Sequence, residues 1–256
     1  MKNAPGTLYL VPAPLDFGCD AQAPLTDALP AGTLRQAAQI THWVCENAKS
    51  LRAYLKRIDA EYPLAASLQQ QQITELPRQV HKKGDHGAGA FDATALIAPL
   101  RAGHDMGLAS EAGMPAIADP GSSVVRAAHD AGARVVPLVG PVSLLLALAA
   151  SGLNGQNFAF TGYLPQDAAA RAQRIRELEA LALKQGQSQL FIETPYRNAA
   201  LWQALLQHLQ PGTRLAVAEG LTLDHARVHS HAVRRWREQP GAAPDNRTPA
   251  VFAIGG

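Results

Sequence analysis

Short apolar runs recur along almost the whole chain, and stretches of helical period separate most of them. Residues 6–11, 41–45, 106–109, 134–139, 158–161, 189–193, 215–218 and 249–254 read as strands by their length and their bounding turn formers. Helices between consecutive strands favour parallel pairing through right-handed crossovers. The pattern therefore predicts an α/β fold with mainly parallel sheets and puts ligand-binding loops at the carboxyl ends of strands. Helix ends are marked as well. Asp167 precedes and Gly186 follows segment 168–185, and Gly132 closes a helix that begins near Ser122.

Two stretches break this rhythm. Residues 61–90 carry a glutamine run, the triplet His81-Lys82-Lys83 and the glycines Gly84, Gly87 and Gly89. That is the composition of a loop, read either as a lid or substrate loop or as an insertion without function. The second break is Gly140-Pro141, between the strand ending at Val139 and a very apolar helix over 142–151. A junction there divides the 256 residues into an N-terminal α/β domain, 1–139, and a C-terminal α/β domain, 140–256.

Composition removes several classes. No apolar run approaches the roughly 18 residues that span a bilayer, and the N-terminus lacks the order of a signal peptide, so the expected setting is cytoplasmic with no membrane partner. Two cysteines, Cys19 and Cys45, exclude a disulfide framework and match no zinc spacing; Cys45, at a strand end, reads as a small buried hydrophobe. With 23 Lys+Arg against 21 Asp+Glu the bulk field is too weak to announce a polyanion, so any nucleic acid must be held by local patches. Lys82, Lys83, Arg171, Arg174, Arg197, Arg234, Arg235 and Arg237 are the candidates, with solvated helix faces as the alternative. Trp236 beside them can stack on a base or pack.

Common signatures are absent. The chain has no GxxxxGK[ST], no strand-borne GxGxxG and no GxSxG. His225, His229 and His231 form HxxxHxH, which puts two imidazoles on one face of a strand; without Cys or carboxylate at ligand spacing they read as solvated or core histidines, and no metal is expected. The informative segment is SEAGMPAIADPG at 110–121, between a strand and a helix. Gly113 permits close backbone approach or positive φ while Pro115 and Pro120 fix the path, an arrangement suited to presenting amides and carbonyls to a small polar ligand.

Segment 110–121, taken with GTLYLVP at 6–12, VVPLVGPVS at 135–143, FAFTGYLP at 158–165 and ETPYR at 193–197, resembles the tetrapyrrole methylase superfamily of S-adenosyl-L-methionine (SAM) dependent methyltransferases. Within it the sequence is most similar to the ribosomal small-subunit RNA 2′-O-methyltransferase I branch, with GTLYxVxTP, AEDTR, SDAGTPxISDPG, VVPIPGPSA, FxFEGFLP and ESPHR in the same order. The resemblance implies a homodimer of two-domain subunits with SAM in an interdomain cleft. Carried over by motif, SAM contacts come from Pro12, from Ser110, Glu111, Ala112, Gly113, Met114 and Ile117, from Gly140, Pro141 and Ser143, and from Ile192, Glu193 and Thr194.

Methyl transfer to oxygen depends chiefly on alignment, and a nearby carboxylate can accept the hydroxyl proton. Glu46, in the place of the AEDTR glutamate, and Glu111, in the place of the SDAGTP aspartate, are the catalytic candidates. Glu46 also reads as a helix-start carboxylate, and Glu193 as an ion-pair partner of Arg197. The chain departs from the pattern at Cys45-Glu-Asn-Ala-Lys49, where a carboxylate is lost and Lys replaces Arg. The acceptor implied is RNA in a ribosomal particle; alternatives are a tetrapyrrole or other small molecule, or a catalytically reduced paralogue that serves as a binding module.

Overall fold

Trp43 needs space that only a glycine leaves. It pairs across the sheet with Gly107, where an added Cβ would collide with the indole ring, so the two strands approach closely and Trp43 is buried. The computed structural model describes residues 4–19, 22–87, 91–239 and 243–256, and of residues 81–83 the backbone alone. It divides into two units, Met1–Phe17 with Ala23–Val142, and Ser143–Gly256 with Gly18–Gln22.

The first unit runs β1 (Thr7–Leu10), α1 (Leu25–Ala28), α2 (Ala31–Gln39), β2 (His42–Cys45), α3 (Ala48–Asp59), β3 (Gln72–Glu75), α4 (Arg78–Lys83), α5 (Ala98–Arg101), β4 (Met106–Ala109), α6 (Ser122–Asp130) and β5 (Arg134–Pro137). Its sheet has the order β3-β2-β4-β1-β5, parallel throughout. Side chains alternate between two cores. Trp43, Cys45 and Ala109 meet α2 and α3 on one face, while Leu8, Val44 and Leu108 meet α5 and α6 on the other.

The second unit runs α7 (Ser143–Ser151), β6 (Phe158–Tyr163), α8 (Ala168–Gln185), β7 (Ser188–Glu193), α9 (Asn198–His208), β8 (Arg214–Glu219), β9 (Arg227–Ala232), α10 (Val233–Arg237) and β10 (Ala250–Gly255). Its sheet order is β6-β7-β10-β8-β9. Parallel pairing joins only β6 to β7; β10 pairs antiparallel with β7 and β8, and β8 with β9. The chain turns back from β8 to β9 without a crossover helix, which is why the second sheet is mixed. Phe191, Phe252, Trp202 and Trp236 centre its core.

The stretch at 61–90 is less loop-like than its composition suggests. It holds β3, α4 and the fully buried Asp85, so residues 72–83 form regular elements where composition suggested only loop. β3 escaped the pattern because it is an edge strand, mostly exposed, with Ile73 its one apolar residue. Gly89 and Ala90 lie outside the described residues.

Candidate active site at the carboxyl ends of β1, β4 and β5

Three segments far apart in sequence meet where β1, β4 and β5 end. The Val11 amide donates to the Leu108 carbonyl at 2.8 Å, and Ala13 and Gly113 exchange hydrogen bonds of 2.9 and 3.0 Å. This short bridge ties the segment after β1 to the 110–121 loop. Gly113 has φ +69°, which favours glycine, and a Cβ there would crowd the end of Leu15 and touch the Pro141 carbonyl. Gly140 lies so close to Pro12 that any Cβ would collide with the pyrrolidine ring and touch Leu29. Tyr54 donates its hydroxyl to the Pro12 carbonyl at 2.8 Å, and Thr33 donates to the Val139 carbonyl at 2.7 Å, fixing both sides from below. Pro12, Gly113, Gly140 and Pro141 are thus brought together.

The rest of the loop is held in costly conformations. Ala116 and Ala118 have φ of 64° and 66°, left-handed backbone that costs on the order of 1 to 3 kcal/mol at each non-glycine residue. Ile117, between them, is 47% exposed for a large apolar side chain. The far end of the loop is anchored by Asp85. Its carboxylate accepts from the Gly121 and Ser123 amides at 3.0 and 2.8 Å and from the Ser122 and Ser123 hydroxyls at 2.9 and 2.5 Å, at the start of α6. Burial works against its ionisation, but these bonds outweigh it and hold the carboxyl below its usual range.

Charge is concentrated beside the loop. Burial, and then the neighbouring Glu46, push the Asp119 carboxyl from an ordinary 3.8 up to about 7; the nearby Ser110 hydroxyl opposes the rise, and Glu111 adds to it. Glu111 accepts a 2.6 Å hydrogen bond from the Ser50 hydroxyl on α3. Both catalytic candidates, Glu46 and Glu111, therefore belong to one group of carboxylates with Asp119. Sequence reasoning missed Asp119, although it stands in the matched Asp-Pro-Gly of the loop, because those residues read as turn formers.

Glu46 does not cap α3. Asn47 does, its side-chain oxygen accepting from the Lys49 and Ser50 amides at 2.9 and 3.2 Å, while Glu75 accepts from the Ala48 amide at 2.6 Å. The exchange of Asp for Asn in this motif keeps the capping oxygen and drops the charge. Cys45 is buried, and burial, with Glu75 next, pushes its thiol up to about 12, where it is inert.

The remaining candidates lie on the second unit. Ser143 opens α7, and Ile192 and Glu193 end β7 ahead of Thr194. Glu193 is committed to its neighbours, accepting from the Thr194 amide at 2.7 Å and from Arg197 at 2.6 and 3.0 Å, the ion pair its spacing suggested. Several basic candidates are similarly engaged. Arg237 caps α9 through the Leu206 and Leu209 carbonyls, Arg174 pairs with Glu177, and Arg171 donates to the Gln166 carbonyl. Trp236 packs rather than presenting a stacking face: it is 2% exposed and donates to the Leu215 carbonyl. Arg234 and Arg235 are exposed; the side chains of Lys82 and Lys83 lie outside the described residues. Among the described residues no group of His, Cys, Asp or Glu suits a metal ion, and no helix is long and apolar enough to cross a membrane.

Comparison with known proteins shows the family. The family model for tetrapyrrole (corrin/porphyrin) methylases matches residues 31–234. Relatives called ribosomal RNA small subunit methyltransferase I include one from Mesorhizobium japonicum, 33% identical over 67% of this chain and 56% of its own length. Another, from Pseudomonas aeruginosa, is 32% identical over 75% of this chain and 58% of its own. The chain thus spans little more than half the length of these relatives. Among solved structures, the methyltransferase CobJ aligns with a TM-score of 0.54 at 17% identity, covering 99% of this chain and 95% of CobJ. Uroporphyrin-III-C-methyltransferase from Thermus thermophilus gives 0.51 at 18% identity, covering 98% and 94%. At such identity these two speak for the fold alone. The chain belongs to the tetrapyrrole methylases.

Proposed function

We propose that the chain is a SAM-dependent methyltransferase that acts on ribosomal RNA, with a ribose hydroxyl as acceptor. The observation that carries the reading is the meeting of Pro12, Gly113 and Gly140 at the strand ends, where only hydrogen fits at Gly140 and small residues keep side chains clear of the backbone. The residues suit the donor. Ser110, Glu111, Ala112, Met114 and Gly140 offer amides and carbonyls to its amino-acid and adenosine parts, Pro12, Gly113 and Pro141 shape the hollow they face, and the exposed Ile117 offers apolar surface. Ser143, Ile192, Glu193 and Thr194 belong to the second unit and enter the reading through the motif resemblance.

When bound, SAM supplies a methyl group on a positively charged sulfur, for which the carboxylates of Glu46, Glu111 and Asp119 are a favourable setting. A hydroxyl oxygen that gains a methyl carbon must release its proton. Asp119, raised to about 7 by burial and by Glu46, is matched to accept it near neutral pH and joins Glu46 and Glu111 as a catalytic candidate. The RNA acceptor is supported by the relatives' names. Homodimer formation is supported by Phe158 and Tyr163, 42% and 55% exposed on the edge strand β6; a cytoplasmic location follows from the ribosomal acceptor.

Two measurements test the reading. Titration with S-adenosylhomocysteine in a calorimeter should give saturable heat, and tritiated methyl groups should pass from SAM to small ribosomal subunits from cells that lack the protein. A folded protein that gives no heat overturns the donor site. Heat without RNA labelling overturns the acceptor.

A further inference from the structure

The second unit carries a pocket of about 230 Å³ at the open edge of its sheet, lined by Glu219, Arg227, His229, His231, Trp236 and Gln239, with Ala243 at its margin. None of these residues belongs to the site described above. Antiparallel register explains the lining: Arg227, His229 and His231 alternate along β9 on one face, opposite Glu219, Val217 and Leu215 of β8. Val217 and Leu215 continue into the core, but β9 has no further strand beside it, so the ends of its side chains meet solvent.

The lining has two chemical parts. One is aromatic: the His231 ring lies 4.9 Å from the buried Trp236 ring at a tilt of 59°, and the exposed His229 ring stands edge-on to the same indole at 6.4 Å. The other is an ionic fork. Glu219 is buried and lies 3.4 Å from the half-exposed Arg227, and its carboxylate also accepts from the Asp245 amide at 3.3 Å. Burial, and then Arg235, His229 and Arg214, disfavour protonation of His231, and the two arginines make the rim cationic. A metal ion is a poor occupant of such a rim. The volume is below the roughly 300 to 1,000 Å³ of a drug-sized site and suits one planar heterocycle.

We propose that this pocket takes a single unstacked nucleobase, with imidazole against its face, the Glu219–Arg227 pair at its polar edge and its phosphate at the arginine rim. Unpaired bases are held in this way, stacked on aromatic or histidine side chains and bonded along their edges. A nucleotide within an RNA strand and a free mononucleotide share this chemistry; the RNA-acceptor reading, on which the choice rests, favours the strand. Arg227, Glu219 and the two histidines would then act on the substrate as a specificity site, made of residues other than those proposed for methyl transfer.

The test uses the full chain and fluorescence anisotropy with a labelled single-stranded oligoribonucleotide of about ten nucleotides. A ribose-phosphate strand of equal length without bases serves as the comparison, and mononucleotides serve as competitors. The base-bearing strand should bind at least tenfold more tightly than the abasic one, and His229→Ala or Gln239→Ala, both at exposed positions, should remove about tenfold of that affinity without changing abasic binding. Arg176→Ala, on the exposed side of α8, should change neither. Displacement by mononucleotides at the strand's own concentration would assign the pocket to a free nucleotide. Equal binding of the two strands, or no effect of His229→Ala, overturns the pocket. Calorimetry with S-adenosylhomocysteine on the same samples separates the two hypotheses: retained heat with no base-dependent binding sinks the pocket alone, and base-dependent binding without heat sinks the donor site alone.

Discussion

Asp119→Asn isolates the consequence of crowding three carboxyl groups beside one loop. In the folded chain Asp119 keeps its proton up to about pH 7, whereas in the unfolded chain it loses it near the ordinary 3.8. Between those values the native state binds more protons, so this residue's contribution to stability is fullest below pH 4, declines as pH rises, and levels off above about 7. The gap between 3.8 and about 7 corresponds to about 4 kcal/mol as a ceiling. Water entry and local relaxation reduce this, and about 1 to 3 kcal/mol is expected. Asparagine is nearly isosteric and does not ionise. Urea unfolding of both proteins at pH 5 and pH 8 should show the wild type losing about 1 to 2 kcal/mol more stability than the variant, since part of the window from 3.8 lies below pH 5 and titrating groups remote from Asp119 cancel in the difference. Carboxyl carbon shifts measured by NMR across the same range report the midpoint directly. A midpoint near 4, or wild-type and variant stabilities that run parallel with pH, would refute the electrostatic account.

Gly140→Ala forces a methyl group into Pro12 and should cost about 1 to 3 kcal/mol, with loss of S-adenosylhomocysteine heat in excess of the loss of stability, read by thermal unfolding and calorimetry on the same protein. Asp85→Ala strips four hydrogen bonds from the start of α6 and should destabilise the first unit by about 2 to 4 kcal/mol in urea; an unchanged midpoint would show the anchor to be idle. Asn47→Asp keeps the capping oxygen at the start of α3 and adds a charge that the helix dipole favours, so stability should hold or rise by a few tenths of a kcal/mol. If Asn47→Asp destabilises instead, repulsion from the nearby carboxylates outweighs the cap.

The sequence revealed what depends on local pattern. β4 (Met106–Ala109) and α8 (Ala168–Gln185) match their expected limits, the latter because Asp167 and Gly186 mark both ends chemically. β3 was not legible as a strand from pattern, since it is an edge strand with polar residues on its open side and little hydrophobic alternation to read, and β9 was legible only through the spacing of His229 and His231. The site was legible through its small residues. Gly113 and Gly140 stood out, and the structure gives each its own reason for glycine, a positive φ at Gly113 and the Pro12 ring against Gly140. Asp119 was not legible because its character comes from Glu46, Glu111 and burial, none of which is written at position 119.

The anchoring of the site loop shows the same limit from the other side. Ala116 and Ala118 sit in left-handed backbone, and a short loop would relax that strain unless both of its ends were fixed. One end is fixed by the bridge between Ala13 and Gly113, within reach of β1. The other is fixed by Asp85, from the glycine-rich stretch whose composition most strongly suggests mobility. A buried carboxylate that accepts four hydrogen bonds at a helix start is a rigid joint, so composition misjudged this residue because it averages over neighbours that take no part in the contact. The stretch that reads as a lid therefore acts, at Asp85, as the clamp that keeps the loop strained. Shortening the stretch while keeping Asp85 should disturb the loop less than replacing Asp85 within the intact chain.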